Sequence, residues 1–338
     1  MRENPAIKIY EQIEDVPSTW EKMPFPDSVL FGREFLKHLR CTNPSKQFYF
    51  ISDEQGPSIG GLFFETVIKS RYLGLKTPIA VCRFPFALPN QGFVCTPGHI
   101  PVICKLLEGR SQSLALLVIR GSRPEFVPAG WSLKPSLPYM VFHNRFKEYG
   151  TYLSSLRRSY RHSIGNSVKK WKSVVVKQEG KEEFGKEHYH HYLSTWRRSA
   201  YRWDPMEYGF FRNLPVPHIY LSAYASDRLI GWILLLFGKN QAYAPLCGLD
   251  SEYIKKHDLW KNLHLEAIRY IINNGFSKVE FGETTTLGKL RLGCDWEPVY
   301  NLVRHRFRLA QYIIEKGSFF KSEEPGPLKG FRAYKVID

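Results

Sequence analysis

The sequence has 338 residues, of which 43% are hydrophobic, 15% aromatic and 24% charged. This length predicts about two domains, and the composition excludes disordered, collagen-like and coiled-coil chains. The 48 Lys and Arg residues outnumber the 32 Asp and Glu residues and give a net charge of +16 at pH 7, which favours polyanionic partners such as nucleic acid, an anionic membrane surface or a phosphorylated ligand.

Cysteine spacing and hydropathy bear on the compartment. The six cysteines are scattered without a C-x-x-C pair, which argues against a zinc knuckle or a disulfide framework. The first residues lack the apolar core of a signal peptide, and the longest apolar stretch, residues 229–237, has the length of a strand rather than of a membrane-spanning helix. We therefore expect a cytoplasmic protein with reduced thiols and no transmembrane segment.

The first half of the chain reads as strand, strand, helix, strand. Residues 48–52 predict a strand that runs into a polar turn, and residues 59–64 predict the returning strand of a hairpin. Helical spacing follows over residues 100–109, and residues 113–119 form an apolar strand pattern.

A Pro-rich segment, residues 123–138, then predicts a linker or crossover. Glu148 and Glu179 bound a stretch without any acidic residue, and residues 149–172 within it have a helical pattern. This basic segment suits a polyphosphate backbone, but a solvated helix face is an equally open interpretation. Its candidate tRNA-binding cations are Arg157, Arg158, Lys169, Lys170 and Lys172.

The second half repeats the order of the first. Residues 218–224 and 229–235 predict a hairpin, residues 258–272 an amphipathic helix that ends at an Asn-Asn-Gly signal, and residues 278–282 a strand. The repeated order predicts two α/β units rather than a helical bundle. We expect an N-terminal domain over 1–145 and a C-terminal domain over 146–338.

Several motifs in the second half resemble one family. Residues 152–164 resemble the Y-L-x-x-L-x-x-x-x-R-x-x-I helix that opens the second domain of Fem-type (FemABX-like) aminoacyltransferases and of the related BioF2-like acetyltransferase domains of the GNAT superfamily. Residues 275–284, followed by Lys289 and Gly293, are similar to the closing G-(x)n-D-F-G…K-x-x-x-G segment, with Glu280 in place of the usual Asp. The resemblance implies an α/β (α+β) fold of two tandem GNAT-like domains, each a mixed sheet flanked by helices, and transfer of an acyl or aminoacyl group to an amine or hydroxyl.

The loop before the 258–272 helix bears on the acyl donor. CoA-dependent enzymes cradle the pyrophosphate with backbone N–H groups of a Gly-rich loop at a helix N-terminus. Residues 247–257 contain one glycine, and Asp250 and Glu252 oppose an anion. The resemblance therefore implies aminoacyl-tRNA as co-substrate with no other cofactor, while an acyl-CoA or acyl-carrier-protein donor remains the alternative.

Candidate site residues follow from the resemblance and from strand ends. Lys289 matches the family lysine, which implies that it binds a donor phosphate or stabilises the charge on the carbonyl oxygen, and Glu283 follows a strand end, where it can accept the amine proton. Each of these residues also has a structural interpretation, as a surface lysine or a turn cap. The candidate substrate-binding residues are Arg161, Tyr243, Thr284, Thr285, Trp196 and Tyr201.

Other catalytic signatures are missing from the sequence. His188, His190 and His191 lack metal-ligand spacing, and the chain has no Walker loop, nucleophile elbow or dinucleotide fingerprint, so we expect no metal site. The predicted function is an aminoacyl-tRNA-dependent transferase acting on a peptidoglycan precursor or a small metabolite. A non-catalytic RNA-binding protein on the same fold is the alternative from another class.

Overall fold

The computed structural model describes residues 6–25, 29–43, 45–52, 58–69, 76–84, 91–110, 114–121, 127–199, 205–317 and 333–335. The chain divides into two compact units. The first comprises Met1–Pro85, Asn90–Leu137 and Pro298–Glu324, and the second comprises Phe86–Pro89, Pro138–Glu297 and Pro325–Asp338. The expected domains, 1–145 and 146–338, differ from this division because residues 298–324 belong to the first unit.

The described part of the first unit contains one eight-stranded mixed sheet with helices beside it. The strands are β1 (Ile7–Tyr10), β2 (Lys46–Ser52), β3 (Gly60–Lys69), β4 (Lys76–Cys82), β5 (Phe93–Val94), β6 (Leu116–Gly121), β7 (Ser132–Pro135) and β16 (Tyr300–His305). The helices are α1 (Arg33–Thr42), α2 (Ile100–Glu108) and α10 (Arg308–Lys316), with 3-10 turns at Ile13–Asp15, Ser18–Lys22 and Pro97–His99.

The first sheet has the strand order β1-β2-β3-β4-β6-β16-β7, with β5 also paired to β3. Its hairpin is the predicted one, with Phe48 opposite Phe63, although the turn at residues 53–57 lies outside the described residues. Ile103 and Leu107 of α2 lie one turn apart and belong to the same buried core as these two aromatic side chains. The 123–138 segment, predicted as a linker, contributes β7 to the sheet.

The described part of the second unit contains a second eight-stranded mixed sheet. Its strands are β8 (Tyr139–His143), β9 (Val174–Glu179), β10 (His218–Ala225), β11 (Arg228–Phe237), β12 (Gln241–Tyr243), β13 (Cys247–Leu249), β14 (Lys278–Glu280) and β15 (Asp295–Glu297). Its helices are α3 (Tyr149–Ser155), α4 (Arg158–Lys170), α5 (Lys186–Arg198), α6 (Tyr208–Arg212), α7 (Tyr253–Lys256), α8 (Leu259–Asn273) and α9 (Thr286–Arg291).

The second sheet has the strand order β15-β8-β14-β12-β11-β10-β9, with β13 also paired to β11. The helix predicted over 258–272 is α8, and its buried Ala267, Ile268 and Ile271 belong to the same core as Val279 of β14. The apolar residues of α8 lie three or four positions apart, and residues with this spacing share one face of a helix. This core holds the elements that carry the candidate site.

The helical pattern over 149–172 is interrupted once. Leu156 has an extended backbone with ψ 149°, so the segment forms α3 and α4 rather than one helix. The break is stabilised by the chain's C-terminal residues, because Arg157 N donates to Ala333 O and Lys335 N donates to Ser155 O, both at 2.9 Å. These two hydrogen bonds therefore fix the start of α4, with its first basic residues, beside residues 333–335.

Both units are α/β layers with mixed sheets, which confirms the predicted fold class. Within the described ranges, no helix has the length and apolarity needed to cross a bilayer.

Candidate functional site

Two parallel strands of the second sheet part at their carboxyl ends. Tyr243 of β12 lies opposite Glu280 of β14, and Ala244 N donates to Glu280 O at 2.8 Å. The next residue, Phe281, donates its N–H to Met140 O on the other side, while β13 pairs with β11. Because the strands take different partners beyond this point, the sheet opens there, and such an opening is where α/β sheets place ligands.

Lys289 reaches into this opening from α9. The helix follows the loop after β14. Thr285, with a φ of 61°, precedes its first residue and redirects the chain, and Gly293, with a φ of 83°, turns the chain away after its last residue. The Lys289 side chain is only 3% exposed. Its Nζ donates to Phe281 O at 2.6 Å, the first carbonyl beyond the last paired residue of β14. The predicted catalytic lysine is therefore a buried cation at the sheet opening.

The surroundings of Lys289 lower its pKa to about 8, and burial is the main cause, because removal of water disfavours the ammonium form. The Glu283 carboxyl and two thiols oppose this change. Near neutral pH most of the population is therefore protonated, and one of three N–H donors goes to Phe281 O. The remaining donors can act on a carbonyl oxygen that gains negative charge.

His264 is a second buried polar residue near Lys289 that the sequence analysis did not select. Its ring stacks on Trp260, with 4.0 Å between centroids, and lies 5.0 Å from the Phe281 ring. Burial and, to a smaller extent, the charge of Lys289 together lower its pKa to about 3. Nδ1 lies 2.8 Å from Trp260 O, so a neutral ring donates there and keeps Nε2 as an acceptor.

Two cysteines complete the surroundings of Lys289. Burial raises the pKa of Cys247 to about 11, against the opposing effect of Lys289 and Arg198. The pKa of Cys294 is also raised by burial, and its N–H donates to Lys289 O at 3.2 Å. Both thiols are protonated at neutral pH and are therefore poor nucleophiles. In the sequence, His264 stands out as a polar residue within the apolar stripe of the 258–272 helix, and this pattern could have indicated it. Nothing in the sequence indicates that the two thiols lie near Lys289.

The loop between β14 and α9 places three predicted residues at the same opening. Glu283 is half-buried and lies close enough to Lys289 to affect its pKa. Thr284 and Thr285 are exposed on the loop, and Thr285 O accepts the Lys289 N–H at 3.2 Å. The structure thus brings Lys289, Glu283 and the two threonines together.

Other predicted substrate-binding residues lie elsewhere. Tyr243 has no exposed surface. Ala242 and Ala244 belong to the core that contains α8, and alternation along a strand directs Tyr243 to the other sheet face. Trp196 is half-buried on α5, and Tyr201 lies outside the described residues.

The basic segment forms an exposed stripe on α4. Arg158, Arg161, His162 and Lys169 lie on one helix face by their spacing, and Ile164, three residues after Arg161, is buried beside this face. An open groove of about 950 Å³ runs beside them, with an apolar floor that includes Ile164 and a rim that includes Arg158, Arg161 and His162.

Two cations of the basic segment make structural contacts. Arg161 donates from Nη1 to Ser154 O at 2.7 Å and Leu156 O at 3.1 Å, which satisfies the end of α3. Lys170 pairs with Asp258 at 3.1 Å. Arg157, Arg158, Lys169 and Lys172 are exposed. The stripe available to a polyanion is therefore centred on these four residues.

A small cavity of about 80 Å³ lies between α4, α8 and α9. It shares Ile164 with the groove, and Gly288 on its wall immediately precedes Lys289. A side chain at 288 would meet the Trp260 ring, with a Cβ 2.8 Å from it. The cavity therefore lies beside both the basic groove and the helix that carries Lys289. Its lining residues are Tyr160, Ser163, Ile164, Trp260, Lys261, Gly288, Arg291 and Leu292.

The N-terminus of α8, where a CoA-binding enzyme would hold pyrophosphate, carries its own carboxylate. Asp258 has φ 43° and accepts from Ser167 Oγ at 2.8 Å and from Lys170 Nζ at 3.1 Å. Burial opposes its ionisation, but these hydrogen bonds lower its pKa overall. A fixed negative charge thus stands at this helix end. The two acidic residues singled out in the sequence, Asp250 and Glu252, lie instead beside Arg228, at 2.9 and 3.7 Å.

Solved structures with this fold are known. The structural match to the C-terminal domain of a putative lysylphosphatidylglycerol synthetase from Agrobacterium fabrum has 10% identity and a TM-score of 0.53 and covers 88% of this chain and 93% of that chain. FemX matches with 10% identity and a TM-score of 0.50, over 87% of this chain and 96% of its own. L-PGS from Bacillus licheniformis matches with 10% identity and a TM-score of 0.51, over 90% and 96%.

The chain has the fold of FemX and of these synthetase structures. This confirms the resemblance at the level of architecture, over most of the chain and not only the quoted motifs. No protein-family model matches the sequence, and no curated protein matches it.

Proposed function

We propose that this protein is an aminoacyl-tRNA-dependent aminoacyltransferase that forms an amide or ester on an amine or hydroxyl of a peptidoglycan precursor or small metabolite. The observation that carries the proposal is the buried Lys289 ammonium at the parted strands, 2.6 Å from Phe281 O, on a helix that also lines a small cavity beside the basic groove. The fold is one that transferases use, but the site supplies the argument.

The chemistry requires a donor for a developing oxyanion and an acceptor for a proton. The acceptor amine attacks the ester carbonyl of aminoacyl-tRNA, the new C–N bond forms, and the C–O bond to the terminal ribose breaks. Lys289 donates to the carbonyl oxygen as its charge develops. Glu283, half-buried in the adjoining loop, takes the amine proton, which returns to the departing ribose oxygen. Thr284 and Thr285 offer exposed hydroxyls to the acceptor.

The α4 stripe supplies the affinity for the donor. Arg158 and Lys169 are exposed on α4, a helix of 13 residues that spans roughly 20 Å, and Arg157 and Lys172 are exposed just beyond its two ends. Several phosphates of a nucleic acid backbone can contact such a length, and the release of their counterions provides binding energy.

Aminoacyl-tRNA fits the described residues better than CoA. A CoA pyrophosphate at the α8 N-terminus would meet the Asp258 carboxylate, which Ser167 and Lys170 hold in its ionised form. The negative charges of the pyrophosphate and of the Asp258 carboxylate would repel each other there. An acyl-CoA enzyme would therefore need a different phosphate site.

Charge reversal on α4 tests the donor. We expect Arg158→Glu with Lys169→Glu to lower affinity for charged tRNA at low salt about tenfold or more, and to reduce the slope of log K against log salt by roughly 1.5 to 2. Filter binding over a salt series measures both quantities, with CoA binding by calorimetry as a parallel arm.

A matched control replaces Lys181 and Lys239, two exposed lysines of the same unit that lie outside α4, with Glu. This variant has the same net charge as the α4 variant, but its substitutions lie outside α4. It should therefore keep most of the affinity for charged tRNA, and its slope of log K against log salt should be steeper than that of the α4 variant. Equal losses in the two variants, or CoA binding without tRNA binding, would contradict the proposal.

A further inference from the structure

The helix α10 is held to the first sheet by polar contacts. Gln311 Nε2 donates to Ser132 Oγ at 2.8 Å, and Gln311 Oε1 accepts from His305 N at 2.7 Å. Lys134 Nζ donates to Glu315 O at 2.9 Å. Polar contacts to β7 and β16 therefore anchor the helix, which has no buried residue.

The outward face of α10 is apolar. Leu309, Tyr312 and Ile313 follow helical spacing and are 73%, 57% and 44% exposed, and Phe307 just before the helix is 56% exposed. A surface helix of a water-soluble domain normally has the opposite orientation, with the apolar stripe against the core. Three large apolar side chains on one face of this nine-residue helix, with Phe307 immediately before it, form a patch that an apolar phase would cover.

Cations surround and interrupt this patch. Arg308 and Lys316 are exposed, and Lys316 lies one turn beyond Tyr312 and Ile313 on the same helix face. The Arg306 guanidinium lies over the Phe307 ring, 4.6 Å from its centroid. Lysine is depleted in the centres of protein interfaces, whereas at a bilayer surface its stem lies among apolar groups and its ammonium reaches the headgroups.

We propose that α10 with Phe307 is an interfacial helix that binds the surface of an anionic lipid bilayer. Phe307, Leu309, Tyr312 and Ile313 enter the boundary between headgroups and acyl chains, and Arg306, Arg308 and Lys316 contact anionic headgroups. A helix of nine residues is about 14 Å long and lies on the bilayer rather than crossing it. The net charge of +16 favours the same surface. This inference does not depend on the proposed transfer reaction.

Vesicle sedimentation tests the inference with the full chain. The probes are vesicles of phosphatidylcholine with phosphatidylglycerol, in a ratio of roughly 7:3, and vesicles of phosphatidylcholine alone. We expect binding to the anionic vesicles that weakens in high salt. Leu309→Ser with Ile313→Ser should lower the partition coefficient about tenfold or more, because two apolar side chains no longer enter the bilayer. Arg308→Glu with Lys316→Glu should lower binding to anionic vesicles more than binding to neutral ones.

The matched control is Val67→Ser with Val175→Ser, which removes two other exposed apolar side chains, 53% and 59% exposed. It should bind vesicles as the wild type does. Circular dichroism and the unfolding midpoint verify folding, which exposed positions leave unchanged. Equal binding by the control and the α10 variants overturns the proposal. A lack of vesicle binding also overturns the proposal. The occupant of the patch would then be a second copy, which sedimentation velocity detects as a patch-dependent dimer, or residues 318–332 of the same chain.

Discussion

Lys289 is held in a position that costs stability. Its folded pKa of about 8 lies below the ordinary 10.5, so between these pH values the unfolded chain binds more protons than the native one. Stability therefore rises with pH through this window, and the charged form below pH 8 costs roughly 3 kcal/mol. Buried cations of this kind occur where a reaction uses the charge.

His264 predicts a specific acid sensitivity. Its pKa of about 3 lies below the ordinary 6.5, so the unfolded chain binds one more proton between these values and stability falls as the pH decreases. We expect His264→Phe, whose ring suits the contacts with Trp260 and Phe281, to remove about 1.4 kcal/mol per pH unit of this loss below pH 6. Urea unfolding at pH 7, 6, 5 and 4 measures the difference.

The control for this experiment is His190→Gln, which removes an exposed imidazole from α5. Acid loss from other groups, such as Glu179 with its lowered pKa, is common to all the variants and cancels in the comparison. If His264→Phe loses stability with decreasing pH as steeply as the control, His264 is not a buried neutral imidazole.

At the scale of elements, the turn after α9 fixes the helix that carries Lys289. Gly293 has φ 83°, its N–H donates to Leu290 O at 2.9 Å, and a Cβ there would overlap the Tyr334 hydroxyl. We expect Gly293→Ala to lower the free energy of unfolding by roughly 2–4 kcal/mol, from backbone strain together with this overlap. Denaturant unfolding measures the change.

Gly275→Ala is the matched control for the turn. Gly275 also has a positive φ, 70°, but no atom lies within 4 Å of the position of an added Cβ. It should cost only the backbone strain, about 1 kcal/mol. Equal costs at the two positions would show that the contact between Gly293 and Tyr334 contributes nothing to the stability of α9.

Local patterns predicted many elements of this protein because they depend on neighbouring residues alone. The 258–272 helix and the 218–235 hairpin follow their apolar periodicity closely. The break between α3 and α4 was not predictable, since the groups that stabilise it, Ala333 and Lys335, lie far away in the sequence. The candidate site shows the same limit: Lys289 followed from a motif, but His264 and Cys247 join it only through packing.

At the scale of the whole molecule, the order of the strands within each sheet could not be predicted from the sequence. The repeated order of elements predicted two α/β units, and two mixed sheets are present. The sequence analysis placed no strand over residues 300–305, yet these residues form β16, which pairs with both β6 and β7 of the first sheet. Such a pairing joins residues distant in the sequence and is set by the burial of both faces, which a local pattern cannot encode.

Transfer of a labelled amino acid tests the central claim most directly. The purified chain is incubated with total tRNA charged with radiolabelled amino acids, beside radiolabelled acetyl-CoA, with acceptors from filtered extract. Lys289→Met, which removes the buried charge at similar volume, is the paired variant, and its unfolding at pH 7 verifies the fold.

We predict that label passes from tRNA into a small product with the wild type. We expect Lys289→Met to lower the rate by about 10²–10³-fold without lowering the free energy of unfolding. Label leaving only acetyl-CoA, tRNA binding without any transfer, or a Lys289→Met rate equal to that of the wild type would contradict the account.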